Sequence, residues 1–230
     1  MNRSYRSAAV LAIVAVAGAL AVAQPAKEAA KPAAPAAAQP APEGMQLPPG
    51  MTMEDVQACI EAGTPGEMHE YLAQGVGTWS GKMKMWMAPG TDPMESECVS
   101  TITPIMDGRY FKCETTGEMP GMGVFLGSGL YAFDNVSKQF QSTWIDNMST
   151  GIAIGVGERS SDGKTMTWNL TYHCPITKKP CVLRQIERHT GKDSMVMEMH
   201  GTDPKSGKEY KMMEIAYTRK AAAAAPTSSN

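Results

Sequence analysis

Residues 77–87 read Gly-Thr-Trp-Ser-Gly-Lys-Met-Lys-Met-Trp-Met. Met83, Met85 and Met87 fall on one side of a period-two pattern with Trp79, and Lys82 and Lys84 fall on the other. A strand turns successive side chains to opposite faces, so this segment has an apolar face and a wetted one. The same alternation sets Met166, Trp168, Leu170 and Tyr172 against Thr165, Thr167, Asn169 and Thr171. From Gly77 onward the pattern predicts strands near 77–87, 94–103, 109–118, 122–134, 138–147, 150–159, 164–173, 181–190, 194–201 and 209–219, with no helix between them. Ala88-Pro89-Gly90, Asp107-Gly108, Pro120-Gly121, Asp134-Asn135, Asp162-Gly163 and Ser206-Gly207 are turn signals between them. Short connections make neighbours in sequence neighbours in the sheet. The expected fold is all-β: roughly ten antiparallel strands in an up-and-down barrel, closed so that no edge is exposed. A flattened sandwich is the alternative.

Two short helices should precede the strands. Thr52 followed by Asp55, with Val56 and Ile60 forming an apolar stripe, predicts a helix over 53–62, ended by Gly63. Thr64-Pro65-Gly66-Glu67 is a start signal for a second, reaching about Gln74, with Met68, Tyr71, Leu72 and Val76 at helical spacing.

The chain begins with Arg3 and Arg6, an apolar run from Ala8 to Ala23, and Ala21-Val22-Ala23 as a small-x-small cleavage signal. Residues 1–23 are therefore read as a secretory signal peptide, and the product as periplasmic or secreted in a bacterium. The run falls short of the ~20 residues that span a bilayer, and no membrane span is expected after cleavage. Residues 24–50 hold seven prolines among many alanines and form a disordered linker; 221–230 form a similar tail. The domain is then 51–220. Cleavage leaves 19 Lys and Arg against 23 Asp and Glu, net −4. That balance argues against a nucleic-acid partner, which needs clustered positive charge.

Cysteine pairing matters in an exported chain. In Cys174-Pro-Ile-Thr-Lys-Lys-Pro-Cys181, a turn over Ile176–Lys179 would set Pro175 opposite Pro180 and Cys174 opposite Cys181, within disulfide range. The expectation is a Cys174–Cys181 bridge. Cys98 and Cys113 become diagonal neighbours if Ile105–Gly108 is the turn, and both bridged and free states stay open. Cys59 is left as a buried thiol.

Gly77-Thr78-Trp79-Ser80-Gly81 resembles the opening of lipocalins and nitrobindin-like barrels. A longer set of motifs resembles the bacterial family catalogued as domain of unknown function 1579. These are Thr64-Pro65-Gly66-Glu67 through His69, Lys84-Met85-Trp86-Met87 with Pro89-Gly90, Pro93-Met94-Glu95-Ser96, and Gly108-Arg109-Tyr110. Gly117-Glu118-Met119 with Gly121-Met122, Phe133-Asp134-Asn135-Val136, Ser142-Thr143-Trp144-Ile145-Asp146-Asn147-Met148, and Met213-Glu214-Ile215-Ala216-Tyr217-Thr218-Arg219-Lys220 complete the set. The resemblance spans about 64–220. It implies a lipocalin-like barrel, and it implies neither an activity nor catalytic residues. The chain departs from the family pattern at Cys174 and Cys181, where an acidic residue and a plain hairpin are usual.

The functional expectation is a binding module. A small, largely apolar molecule would sit in an interior lined by Trp79, Met83, Met85, Phe125, Trp144, Trp168 and Met197. Arg184, in phase with Val182 and Ile186, would face inward and take a ligand carboxylate; a slipped register would turn it to solvent. Arg109, in phase with Phe111, joins the candidate ligand residues, with a possible internal pair to Asp146. Met83/Met85/Met87 and Met195/Met197/Met199 form two Met-x-Met-x-Met strands, which suit Cu(I) or, more simply, a soft apolar wall. His69, His173, His189 and His200 lack metal-ligand spacing; His200 stands where some related barrels hold haem. No cofactor is expected. Nucleophile-elbow, phosphate-loop and zinc-protease motifs are missing, so the reading leans away from an enzyme. The alternative is a structural barrel with a packed lumen, in contact with the cell envelope.

Overall fold

The computed structural model describes residue 47 and residues 49–221. Residues 1–23, expected to be a signal peptide, most of the Ala/Pro-rich segment 24–50 and residues 222–230 lie outside the described residues. No described helix is long and apolar enough to cross a membrane.

Helix α1 spans Met53–Gly63. Its expected capping box is present: Asp55 N donates to Thr52 Oγ1 at 3.2 Å, and Thr52 N donates to Asp55 Oδ2 at 2.8 Å. Helix α2, Glu67–Ala73, starts later than Thr64-Pro65 suggests. Gly66 is its N-cap, and Gly66 N donates to His69 Nδ1 at 3.1 Å, so a histidine three residues into the helix takes the place of the acid that the start signal supplied, while the Thr64 hydroxyl donates to Ile60 O at 2.7 Å.

Ten strands follow: β1 Gly77–Met85, β2 Met94–Ile105, β3 Tyr110–Met119, β4 Gly123–Asp134, β5 Gln139–Asp146, β6 Ala153–Arg159, β7 Thr165–His173, β8 Pro180–Gly191, β9 Ser194–Thr202 and β10 Glu209–Arg219. Each pairs antiparallel with its sequence neighbour, and β1 pairs with β10 to close the barrel. The sandwich alternative is excluded. Strand β1 stops at Met85, and Met87 is exposed beside the Ala88-Pro89-Gly90 loop.

Both disputed hairpins have a different register from the one expected. Ile105 pairs with Tyr110, so the turn is Met106–Arg109, with Met106 and Asp107 at φ 50° and 57°. Cys98 then lies opposite Gly117, and Cys113 opposite Ile102, with the Ser100–Thr115 pair between them. In the second hairpin Cys181 lies opposite Tyr172. Cys174 N donates to Lys179 O at 3.0 Å, and Lys178 N donates to Cys174 O at 2.8 Å. The turn is thus Pro175–Lys178. Proline presets φ for the second position of such a turn, so the two prolines never face each other. The predicted Cys174–Cys181 bridge is not present: all five cysteines are free thiols. Cys181 lies within hydrogen-bonding reach of Cys174, whose thiol is held below its usual range chiefly by Thr177. Cys59 is exposed rather than buried.

The helices close one end of the barrel. The turns at that end grip them: Arg109 Nε donates to Gly63 O at 2.8 Å, Asn135 Nδ2 to Thr64 O at 2.7 Å, and Arg219 to the carbonyls of Gln74 and Val76. Arg159 pairs with Glu67 and stands 4.9 Å from the centre of the Tyr71 ring. The other end carries no helix among the described residues. Its hairpins expose Met87, Met122, Met148 and Ile176.

Candidate functional site

Inside the barrel is a cavity of about 280 Å³. It runs from Tyr71 and Leu72, under α2, to Met119, Phe125 and Asp146 toward the open end. Two kinds of wall surround it. On β5 to β7 the wall is aromatic: Trp144 and Trp168 line the cavity and Phe140 packs behind them, with Tyr131 of β4 tilted against Trp168 at 5.2 Å between ring centres. On β9, β10 and β1 the wall is thioether and aliphatic: Met195, Met197, Met199, Met213, Ile215 and Met83.

The aromatic wall fits because glycines lie beside the rings. Gly157 of β6 is opposite Trp168, and a Cβ there would come 2.5 Å from Trp168 Cζ3. Gly129 of β4 is opposite Trp144, and a Cβ there would meet that ring and the Thr143 carbonyl. The methionine wall needs no such relief. The register places Met94, Met85, Met213 and Met199 in one inward row across four strands, where flexible thioethers fill the barrel's irregular curvature.

The cavity also holds polar groups. Ser100 Oγ and Thr115 Oγ1 are 2.8 Å apart, and Tyr217 Oη is 3.1 Å from Ser100 Oγ. Gln185 Nε2 donates to Glu187 Oε1 at 2.6 Å. Burial pushes the Glu187 carboxyl up, against the opposing effect of Gln185 and Trp168. Burial likewise holds the Tyr131 and Tyr217 hydroxyls well above their usual range, and lifts the Cys113 thiol to about 11. It lowers His189, which Arg219 lowers further. Ser142 Oγ and Trp168 Nε1 are buried and without a partner in hydrogen-bonding geometry.

Of the residues singled out from sequence, Trp79, Met83, Phe125, Trp144, Trp168 and Met197 line the cavity. Met85 is buried, 7% exposed, and points inward beyond the cavity's edge. Arg184 is a correction. It lies on the outer face, where its guanidinium binds Glu209 Oε1 at 2.6 Å, because Leu183, Gln185, Glu187 and His189 take the inward phase of β8. Arg109 is a second correction. It sits in the β2–β3 turn at the helix end, bonded to Gly63 and Met106 carbonyls. Asp146 is toward the far end and accepts from Trp144 Nε1 at 3.2 Å, so the two form no pair. His200 lies on the outer face of β9 beside Glu198, away from the cavity, which removes the haem-like placement. Among the described residues no group of three His, Cys, Asp or Glu is placed to hold a metal. Glu187, Gln185, Tyr131 and Ser142 were missed. For Tyr131 and Ser142 a signal was available: Gly127, Gly129 and Gly157 mark inward positions kept clear for rings, and Gly155 one kept clear for Ser142; β8 carries no such signal for Gln185 and Glu187.

Solved structures with the same shape exist. The S-type phycobiliprotein lyase CPES from Guillardia theta aligns with a TM-score of 0.52 at 11% identity, covering 68% of this chain and 94% of that one. Rv2717c from M. tuberculosis aligns with a TM-score of 0.53 at 14% identity, covering 68% and 99%. At such identity the likeness shows the fold alone. No curated protein matches this chain. Residues 64–219, α2 and the whole barrel, match the family model described as protein of unknown function (DUF1579), and the chain belongs to that family.

Proposed function

We propose that this protein binds one small, largely apolar molecule inside the barrel. The observation that carries the reading is the 280 Å³ cavity walled by Trp79, Trp144, Trp168 and the methionines. Small-molecule sites run from about 300 to about 1,000 Å³, so a cavity of about 280 Å³ lies just below that range and suits a small ligand. A barrel packed solid would leave no such space, and the structural alternative is weaker for it. The likeness to the phycobiliprotein lyase from Guillardia theta adds only that the scaffold is the same.

The Arg3/Arg6 start and the Ala21-Val22-Ala23 ending support export to the periplasm or beyond. Contact with the cell envelope is supported by the exposed apolar tips at the open end. Native mass spectrometry of protein purified from its own host tests the reading, with thermal shifts against a panel of lipids and small hydrophobes. The expected result is a retained molecule or a hit that raises the melting temperature; a ligand at one hundred times its Kd stabilises by about 2.7 kcal/mol. An empty protein and a flat panel would overturn it.

A further inference from the structure

The lumen contains an acid with no counter-charge. Glu187 lies on β8 between Met166 of β7 and Met197 of β9, with Gln185 and His189 on its own strand. Its side chain lines the same cavity as Tyr71 of α2, Tyr131 of β4 and Cys113 of β3. Its accessible surface opens onto the cavity. Among the described residues Gln185 is its one hydrogen-bond donor in full geometry, and no lysine or arginine forms an ion pair with it. None of the cavity-lining residues is Lys or Arg, while Asp146 adds a second carboxylate near the open end. Two more cavity-lining residues carry buried polar atoms: Ser142 Oγ has no hydrogen-bond partner, and Trp168 Nε1 bears on Glu187 without full hydrogen-bond geometry.

A carboxyl facing a largely apolar lumen without a cation is costly, and such a group in a cavity is a candidate functional position. Apolar walls and aromatic faces around one acid are the surroundings that favour a desolvated ammonium.

We propose that Glu187 anchors the ligand, and that the ligand is a small aromatic or aliphatic amine, protonated in water, with its nitrogen on the Glu187 carboxylate. This rests on the reading of the barrel as a binding protein, and it reverses the polarity that an inward Arg184 would have imposed. Carboxylates such as fatty acids would meet Glu187 and Asp146 and be rejected.

Three probes of matched shape test it: 1-naphthylmethylamine, 1-naphthylmethanol and 1-naphthoate, titrated by quenching of the lumen tryptophans. The amine is expected to bind at least tenfold tighter than the alcohol, with the carboxylate weakest. Glu187→Gln keeps the volume and is expected to lower amine affinity by about tenfold, or 1.4 kcal/mol, while leaving the alcohol within threefold. Glu187→Asp is expected to keep part of the preference, and the alcohol affinity reports that each variant is folded. Equal binding of all three probes, a tighter carboxylate, or an unchanged amine preference in Glu187→Gln overturns the amine assignment and leaves the binding reading standing. Silence from all three probes, together with an empty protein in native mass spectrometry, overturns both.

Discussion

On β5 to β7 the lumen is filled by rings laid against glycines; on β9, β10 and β1 it is filled by thioethers packed among themselves. Both walls are largely apolar, and they solve the same geometric problem in opposite ways. A rigid ring fixes its neighbours, so Gly129 and Gly157 must stay bare for Trp144 and Trp168 to lie flat. A methionine has three rotatable bonds and adapts to its neighbours instead. Glu187 sits at the seam, between Met166 of the aromatic cluster and Met197 of the methionine cluster. One wall is a mould and the other a cushion, and Glu187, an acid without a counter-charge, lies where they meet.

The largest effect should come from Trp168→Ala. Trp168 is 1% exposed and central to its cluster, so its loss should cost about 3–5 kcal/mol, read as a lower denaturation midpoint in urea. A cost below about 1 kcal/mol would mean that the ring is not a structural wall.

Gly157→Ala should come next. Its methyl group would intrude on the Trp168 ring and on Phe140 Cβ, 2.9 Å away, costing about 1–3 kcal/mol. Differential scanning calorimetry should show a drop of roughly 2–4 °C for each kcal/mol. A neutral outcome would show that the rings can shift, and the contrast between the walls would dissolve.

Met83→Leu probes the cushion. A volume-conserving swap there should cost less than about 1.5 kcal/mol, because Met195, Met197 and Met213 can adjust around it. If it costs as much as Gly157→Ala, the methionine wall is as strict as the aromatic one. The same variant should not change Cu(I) uptake; a loss would revive the metal reading of the Met-x-Met-x-Met strands.

The seam gives a smaller effect that varies with pH. Burial raises Glu187 in the folded protein above its value of about 4.3 in the unfolded chain. Within that window the folded state holds a proton that the unfolded state has released. Stability is therefore complete below about pH 4.3 and falls as pH rises through the window to the raised value. Melting of ligand-free wild type and of Glu187→Gln from about pH 4 to about pH 8 should show the variant pulling ahead as pH increases. A constant gap between the two would show that the acid is already paired.

Much of this was legible in the chain because it is written locally. The capping box at Thr52, ten alternating segments and the turns between them rest on neighbours within a few residues, and they led to ten strands and two helices. The inward phase of Trp79, Met83, Trp144, Trp168 and Met197 was legible for the same reason: each belongs to a strand whose opposite face is plainly polar or exposed. Strand β8 offers no such contrast. Val182, Arg184, Ile186 and Arg188 alternate as well as Leu183, Gln185, Glu187 and His189 do, and each set mixes apolar with charged residues. Only the pairing of Gln185 with Trp168 on one side and with Met199 on the other decided between them. Because a strand has period two, that decision moved every side chain at once: it took Arg184 out of the lumen and put Glu187 into it. Register is a contact between segments, so tertiary structure alone could choose whether a cation or an acid faces the cavity.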